Sequence, residues 1–411
     1  MGNAMKTMVV AAAFAAVVGM AYADAPAEIC GAPRLQARAE LIWTKPLCKE
    51  PDRYIGWPSV CQTRDGEILA VFSGDRDAHV CPWGKVQMVR SKDGGATWTA
   101  PEDVCDTIID DRDAGIVPLD DGSLLMSWFT STAYVARARN RKKFKPGSPE
   151  FYWNLHVGKS DATEMIARLG SFTRRSTDGG KTWSAPVRVR CSAPHGPIQL
   201  KDGRLLYVGK DLLFEENDVY GHLKPDLKVV AMESKDRGAT WRQIGTIPFP
   251  KDVDVSNHCW EPHAAEAADG RIVAQIRVVQ KTKGPDGKKK VWGIRGLMQS
   301  ESADGGRTWS VAREAGLAGY PPHLTRLADG RLLSTYGRRW GDSGEYACLS
   351  DDGGRTWDVK NEIKLAGHWN GDLGYPASAQ LKDGTVLTVF YQADKKDEKP
   401  CLIGTLWRPL K

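Results

Sequence analysis

Six times along the chain a polar Asp-Gly pair, at Asp65, Asp121, Asp202, Asp269, Asp329 and Asp383, leads straight into a short run of strand length, such as GRLLYVGK or GTVLTVFY. A tight turn that tolerates positive φ at its Gly, followed by such a run, is a hairpin signal. Long apolar patterns with helical spacing are few. The pattern therefore predicts an all-β chain built from six repeated units.

A second repeat interleaves with the first: SKDGGATW at 91–98, STDGGKTW at 176–183, SKDRGATW at 234–241, SADGGRTW at 302–309 and SDDGGRTW at 350–357. Within such a turn the Asp carboxylate can accept backbone N–H bonds, the Gly permits positive φ, and the Trp packs between neighbouring sheets. Each of the first five units runs from its Asp-Gly turn to one of these boxes, whereas the sixth ends at Lys411 without one. One four-stranded antiparallel blade per unit predicts a six-bladed β-propeller. The missing outer strand of the last blade is expected from the N-terminal segment near Ala39–Lys45, which would tie the termini together.

Composition agrees with this and narrows the partners. Fifteen Trp and 42 Gly suit an all-β chain with many tight turns. The net charge of +6 is spread along the chain, which argues against nucleic acid and leaves a small anionic substrate open. A basic start, an apolar run from Met8 to Met20 and Ala21-Tyr22-Ala23 read as a secretory signal peptide over residues 1–23, leaving 24–411 as one propeller domain. The mature protein is expected to be secreted or periplasmic and soluble, with no lipid anchor and no membrane span. Nine Cys, an odd count, leave at least one thiol unpaired, and no C-x-x-C metal pattern occurs. Two insertions interrupt the rhythm, between Tyr134 and Arg174 and from Asp211 to Lys228, and are expected to rim the substrate face.

Counting back eight residues from the Asp of each Asp-Gly turn gives Trp57, Asp113, Pro194, Glu261, Pro321 and Tyr375. Being equivalent in six inner strands, these residues should ring one axial pocket. The five boxes resemble the Asp boxes of the sialidase superfamily, and that resemblance assigns their Asp residues a structural place at the blade periphery. Glu261-Pro262 ahead of an Asp-Gly turn and Arg277 resembles the family's fourth-blade pattern, and Tyr375 ahead of Ser378 and Asp383-Gly384 resembles its nucleophilic Tyr.

The resemblance implies a retaining exo-α-sialidase acting on sialylated glycans, with Tyr375 as nucleophile and Glu261 as its base. A phenol suits a substrate whose anomeric carbon bears a carboxylate, because an anionic nucleophile would be repelled. Three Arg would clamp that carboxylate. Arg277 matches the fourth-blade Arg. Arg338 matches the fifth, with Arg339 its rival. For the third place Arg53, Arg76 and Arg112 compete, because the usual R-I-P is here Arg53-Tyr-Ile-Gly-Trp-Pro58. Asp113 stands beside Arg112 in the pocket ring. The acid is expected in SGDRDAH, at Asp77 or Asp75, and Gln392 stands where the family usually has a Glu bracing an Arg. No cofactor or metal is implied. The alternatives are a non-catalytic glycan-binding propeller and a related hydrolase or lyase for another acidic sugar.

Overall fold

The computed structural model describes residues 34–138, 145–212, 227–283 and 290–411. The leader, Cys30, residues 139–144 of the first insertion and most of the second insertion lie outside them.

Six antiparallel sheets are arranged as the blades of a propeller. Blade 1 runs outward through Tyr54–Gln62, Ile68–Arg76, Lys85–Ser91 and Glu102–Cys105, and its inner strand touches those of blades 2 and 6. The Asp-Gly turns join first to second strands, as the sequence pattern requires. The Asp boxes join third to fourth strands in blades 1 to 5, away from the axis.

In the fourth-blade box, Ser302 Oγ donates to Asp304 Oδ1 at 2.9 Å and accepts from the Gly306 amide at 2.9 Å. The Thr308 hydroxyl and amide donate to the same carboxylate at 2.6 and 2.9 Å, and these donors hold it down to about 2. Trp309 then joins the apolar cluster that includes Leu206 and Val208 of the neighbouring blade. Ser302→Ala would strand the buried Gly306 amide, so a loss of about 1–2 kcal/mol in denaturant-derived stability, with catalysis unaffected, is the expected result.

Closure follows the expectation and extends it. Ala39–Cys48 pairs antiparallel with Cys401–Pro409, Thr44 opposite Thr405 with their hydroxyls 2.9 Å apart. Arg34–Gln36 adds a fifth strand outside it. Blade 3 departs from the regular plan. Its inner strand is split into Cys191–Ser192 and Ile198–Gln199, because Pro194 and Pro197 supply no N–H and Gly196 turns at φ 76°.

The first insertion folds into helices at Tyr134–Ala138, Pro149–Lys159 and Ala162–Arg168. Ser148 caps the second, accepting from the Phe151 amide with Pro149 at the first turn, and Asp161 caps the third. Trp153, Met165 and Tyr134 pack on Val80, Cys81 and Ile109, so the helices lie over the mouth side of blades 1 and 2. The eight described cysteines are all free and buried, burial pushing seven of their thiols up to about 12 and raising Cys191 well above the usual thiol range. Among the described residues no helix is long and apolar enough to cross a membrane.

Candidate active site

Four of the six equivalent inner-strand residues share an unusual backbone: Trp57, Asp113, Glu261 and Tyr375 have φ of 54°, 51°, 51° and 55°. Each stands at a break in strand register, between Gly56 and Ser59, Arg112 and Gly115, Trp260 and His263, and Gly374 and Ala377. A left-handed conformation in a residue with a Cβ costs about 1–2 kcal/mol. Repeated at four equivalent positions, it is a shared device: a bulge that re-aims one side chain out of the sheet and toward the axis. Pro194 and Pro321 fill the other two positions, and proline cannot adopt that φ.

These side chains meet. Tyr375 donates its hydroxyl to Glu261 Oε1 at 2.5 Å, and Arg277 Nη1 donates to the other oxygen, Oε2, at 2.7 Å. Burial, reinforced by the Glu261 charge, raises the Tyr375 phenol well above its usual range, so it is neutral until a base removes its proton. The guanidinium of Arg277 lies 4.3 Å above the Tyr320 ring, and Arg339 stacks on Tyr320 and Tyr375 at 5.5 and 5.7 Å while donating to the Tyr391 hydroxyl at 3.3 Å. Two arginines therefore flank one phenol, with Tyr54, Trp57 and Tyr391 closing the side toward blade 1.

The remaining sequence candidates are dispersed around this pair. Arg338 points outward, donating to both Glu362 oxygens at 2.7 Å and lying 3.9 Å over Tyr346, so its neighbour Arg339 is the arginine at Tyr375. Arg338 ends the strand Leu332–Arg338, and Arg339, the first residue beyond it, is the one that reaches Tyr375. Arg76 is wholly buried and bonds Asp110 through both carboxylate oxygens, at 2.5 and 2.8 Å. Arg53 is held by Asp75 at 2.7 Å and Asp77 at 2.5 Å. Asp77 also accepts from Trp153 Nε1 at 2.8 Å, which joins the helical insertion to the rim. Arg112 lies 4.3 Å over the Trp57 indole, near Asp110 and Asp113 at 3.7 and 3.6 Å, too far for hydrogen bonds.

Gln392 is fully buried, its amide 3.4 Å from the Gly367 carbonyl. A buried carboxyl does approach Arg339, from another strand. Glu345 is 0 % exposed, and burial pushes it up to about 8 against the pull of Arg339. Nothing in GEYACLS marks it, since a strand residue's face is set by register alone. A layer of His195, His263 and His323 lies below the ring, the latter two stacked at 4.4 Å. Backbone amides of Leu324 and Ser378 donate to Nδ1 of His263 and His323, placing their protons on Nε2, and burial drives all three rings toward the neutral form. Their place one or two residues beyond the ring positions was a signal available in the sequence.

Beside Glu261 a cavity of about 250 Å³ opens, lined by Asp113, Phe129, Leu169, Pro194 and Trp260 among others. Lys210 underlies it, its ammonium donating to the carbonyls of Val255, Ser256 and Cys259 at 2.5, 3.1 and 3.0 Å, which anchors the turn that delivers Glu261. Among the described residues no group of three acidic, His or Cys side chains could hold a metal.

A propeller whose axis carries a tyrosine bonded to a glutamate between two arginines is sialidase-type in architecture. The family model described as a BNR repeat-like domain matches residues 151–389, more than half of the chain, and the chain belongs to that family, as a bacterial sialidase-type BNR propeller. Sialidases of Bacteroides fragilis and Micromonospora viridifaciens are 26% and 25% identical over 203 and 232 residues, covering 45% and 54% of this chain. The aligned regions are 34% and 32% of those proteins, so the chain spans about a third of the length of the curated relatives it matches. A Dyadobacter fermentans protein of unknown function superposes with a TM-score of 0.69 at 22% identity, covering 91% of this chain and 100% of that one. The Hadza microbial sialidase Hz136 gives 0.57 at 16%, covering 87% and 66%, and an α-L-arabinanase of Penicillium chrysogenum 0.54 at 12%, covering 90% and 98%. At these identities the structural likeness establishes the fold.

Proposed function

We propose that this protein is a glycoside hydrolase that removes a terminal acidic sugar, sialic acid, from glycans with retention of configuration. The observation that carries the reading is the 2.5 Å hydrogen bond from the Tyr375 hydroxyl to Glu261 on the propeller axis. Tyr375 attacks the anomeric carbon while Glu261 takes its proton, and Arg277 and Arg339 hold the carboxylate. A neutral phenol approaches an anionic substrate without the repulsion that a carboxylate nucleophile would meet. The base is already in contact, so deprotonation needs no rearrangement. Export through the 1–23 leader would bring the enzyme to such glycans.

A second reading, hydrolysis of a different acidic sugar, is favoured by the fate of the third cation. Arg53 and Arg76 are bonded to Asp75, Asp77 and Asp110, leaving two arginines beside Tyr375 and Arg112 over Trp57. The test is incubation with a sialylated oligosaccharide and, in parallel, a uronic-acid-terminated one, followed by NMR. Free sialic acid appearing first as the anomer present in the substrate is the expected result. Release of uronic acid alone would move the reading to the second sugar, and release of neither would remove the hydrolase reading.

A further inference from the structure

The proton donor in such a reaction must be able to carry a proton beside the scissile bond, and the candidate on the rim is poorly placed for that. Asp77 accepts from Arg53 through Oδ1 and from Trp153 through Oδ2, so both of its oxygens are engaged by rim groups. Asp113 differs in each respect. It occupies the ring position in blade 2 equivalent to Glu261 and Tyr375, with the same left-handed bulge, and it lines the same cavity as Glu261. It is 6 % exposed, and its Oδ1 has no hydrogen-bond partner among the described residues. The Asp113 amide donates to Ser73 Oγ at 2.9 Å, which fixes the bulge.

We propose that Asp113 is the general acid and base of this site, an inference that rests on the glycosidase reading above. In the first step the bond from the anomeric carbon to the leaving oxygen breaks and that oxygen takes the Asp113 proton. Meanwhile the Tyr375 oxygen bonds the anomeric carbon and its proton passes to Glu261. In the second step Asp113, now a carboxylate, removes a proton from water whose oxygen bonds the anomeric carbon. The tyrosyl bond breaks and Glu261 returns the proton to Tyr375, so every group ends as it began. The groups facing Asp113 are Arg112 and Asp110 from its own strand, Arg76 from blade 1, Glu261 from blade 4 and Tyr375 from blade 6. Burial pushes its carboxyl up to about 6, Arg112 opposing and Glu261 adding to the rise, which suits a group that must alternate between acid and base near neutrality.

Two substrates separate this role from simple binding: a sialyl oligosaccharide, whose sugar leaving group needs a proton, and a 4-nitrophenyl sialoside, whose phenolate does not. In Asp113→Asn, kcat/KM on the oligosaccharide is expected to fall about 10²–10⁴-fold while that on the aryl substrate falls far less. Added azide should restore aryl turnover by attacking the trapped intermediate without needing a base. In the wild type the alkaline limb of the oligosaccharide kcat/KM profile is expected near pH 6, because the protonated form is the active one and is lost as pH rises through that value. The aryl profile should lack this limb, a readout that needs no variant. Equal losses on both substrates, a rise in KM alone, or the leaving-group signature appearing in Asp77→Asn instead would overturn the assignment while leaving the hydrolase intact. A wild type that cleaves neither substrate overturns both.

Discussion

Tyr375→Phe is expected to lower turnover by at least about 10³-fold while leaving the melting temperature and binding of an acidic sugar nearly unchanged. Only one oxygen is removed, and its partner Glu261 keeps the 2.7 Å bond from Arg277, so no buried charge is left unpaired. The aromatic body of residue 375 would still pack on Trp57, Tyr391 and Arg339. What disappears is the proposed nucleophile, and no other hydroxyl bonds Glu261 among the described residues. Steady-state kinetics with isothermal titration of free sialic acid separates the two effects. Undiminished turnover would exclude Tyr375 as the nucleophile, and a collapse in ligand binding alone would make it a contact residue.

Asp110→Ala should lower stability by about 3–5 kcal/mol, measured by denaturant unfolding, one of the largest single-residue effects in the molecule. Arg76 and Asp110 are each 0 % exposed and joined by both carboxylate oxygens, and Asp110 also accepts from the Cys81 amide at 3.2 Å. Removing the carboxylate leaves a guanidinium in the core with the His79 carbonyl as its remaining hydrogen-bond partner. Replacing both partners together, Arg76→Met with Asp110→Leu, should restore much of the loss, because the larger part of the penalty is the uncompensated charge. A double variant no better than Asp110→Ala would mean that the pair contributes mainly through the bonds it makes to the His79 carbonyl and the Cys81 amide.

Much of this molecule was legible before any coordinates. Turn chemistry is local: Asp-Gly permits one kind of hairpin, and a box of Ser, Asp, Gly, Thr and Trp closes on itself through bonds spanning only four residues. Repetition of those local signals then specified the number of blades, and the missing sixth box foretold closure by Ala39–Cys48. Equal spacing from each turn also placed Trp57, Asp113, Glu261 and Tyr375 in one ring, since equivalent positions in identical units must share a radius.

The choice among chemically similar side chains was not local and was settled by packing. Arg338 and Arg339 are neighbours in sequence, yet the last residue of the strand Leu332–Arg338 bonds Glu362 while the residue after it lies over Tyr375. Arg53, Arg76 and Arg112 are indistinguishable as cations until Asp75, Asp77 and Asp110 bond the first two. Glu345 acquires its closeness to Arg339 only through the register of the middle strands of blade 5. Sequence thus determined the repeating unit and the axial ring, because hydrogen-bonded turns and strand periodicity act over a few residues. Tertiary structure decided which charge neutralises which, because a Coulomb interaction depends on distance and burial that exist only once six sheets have closed.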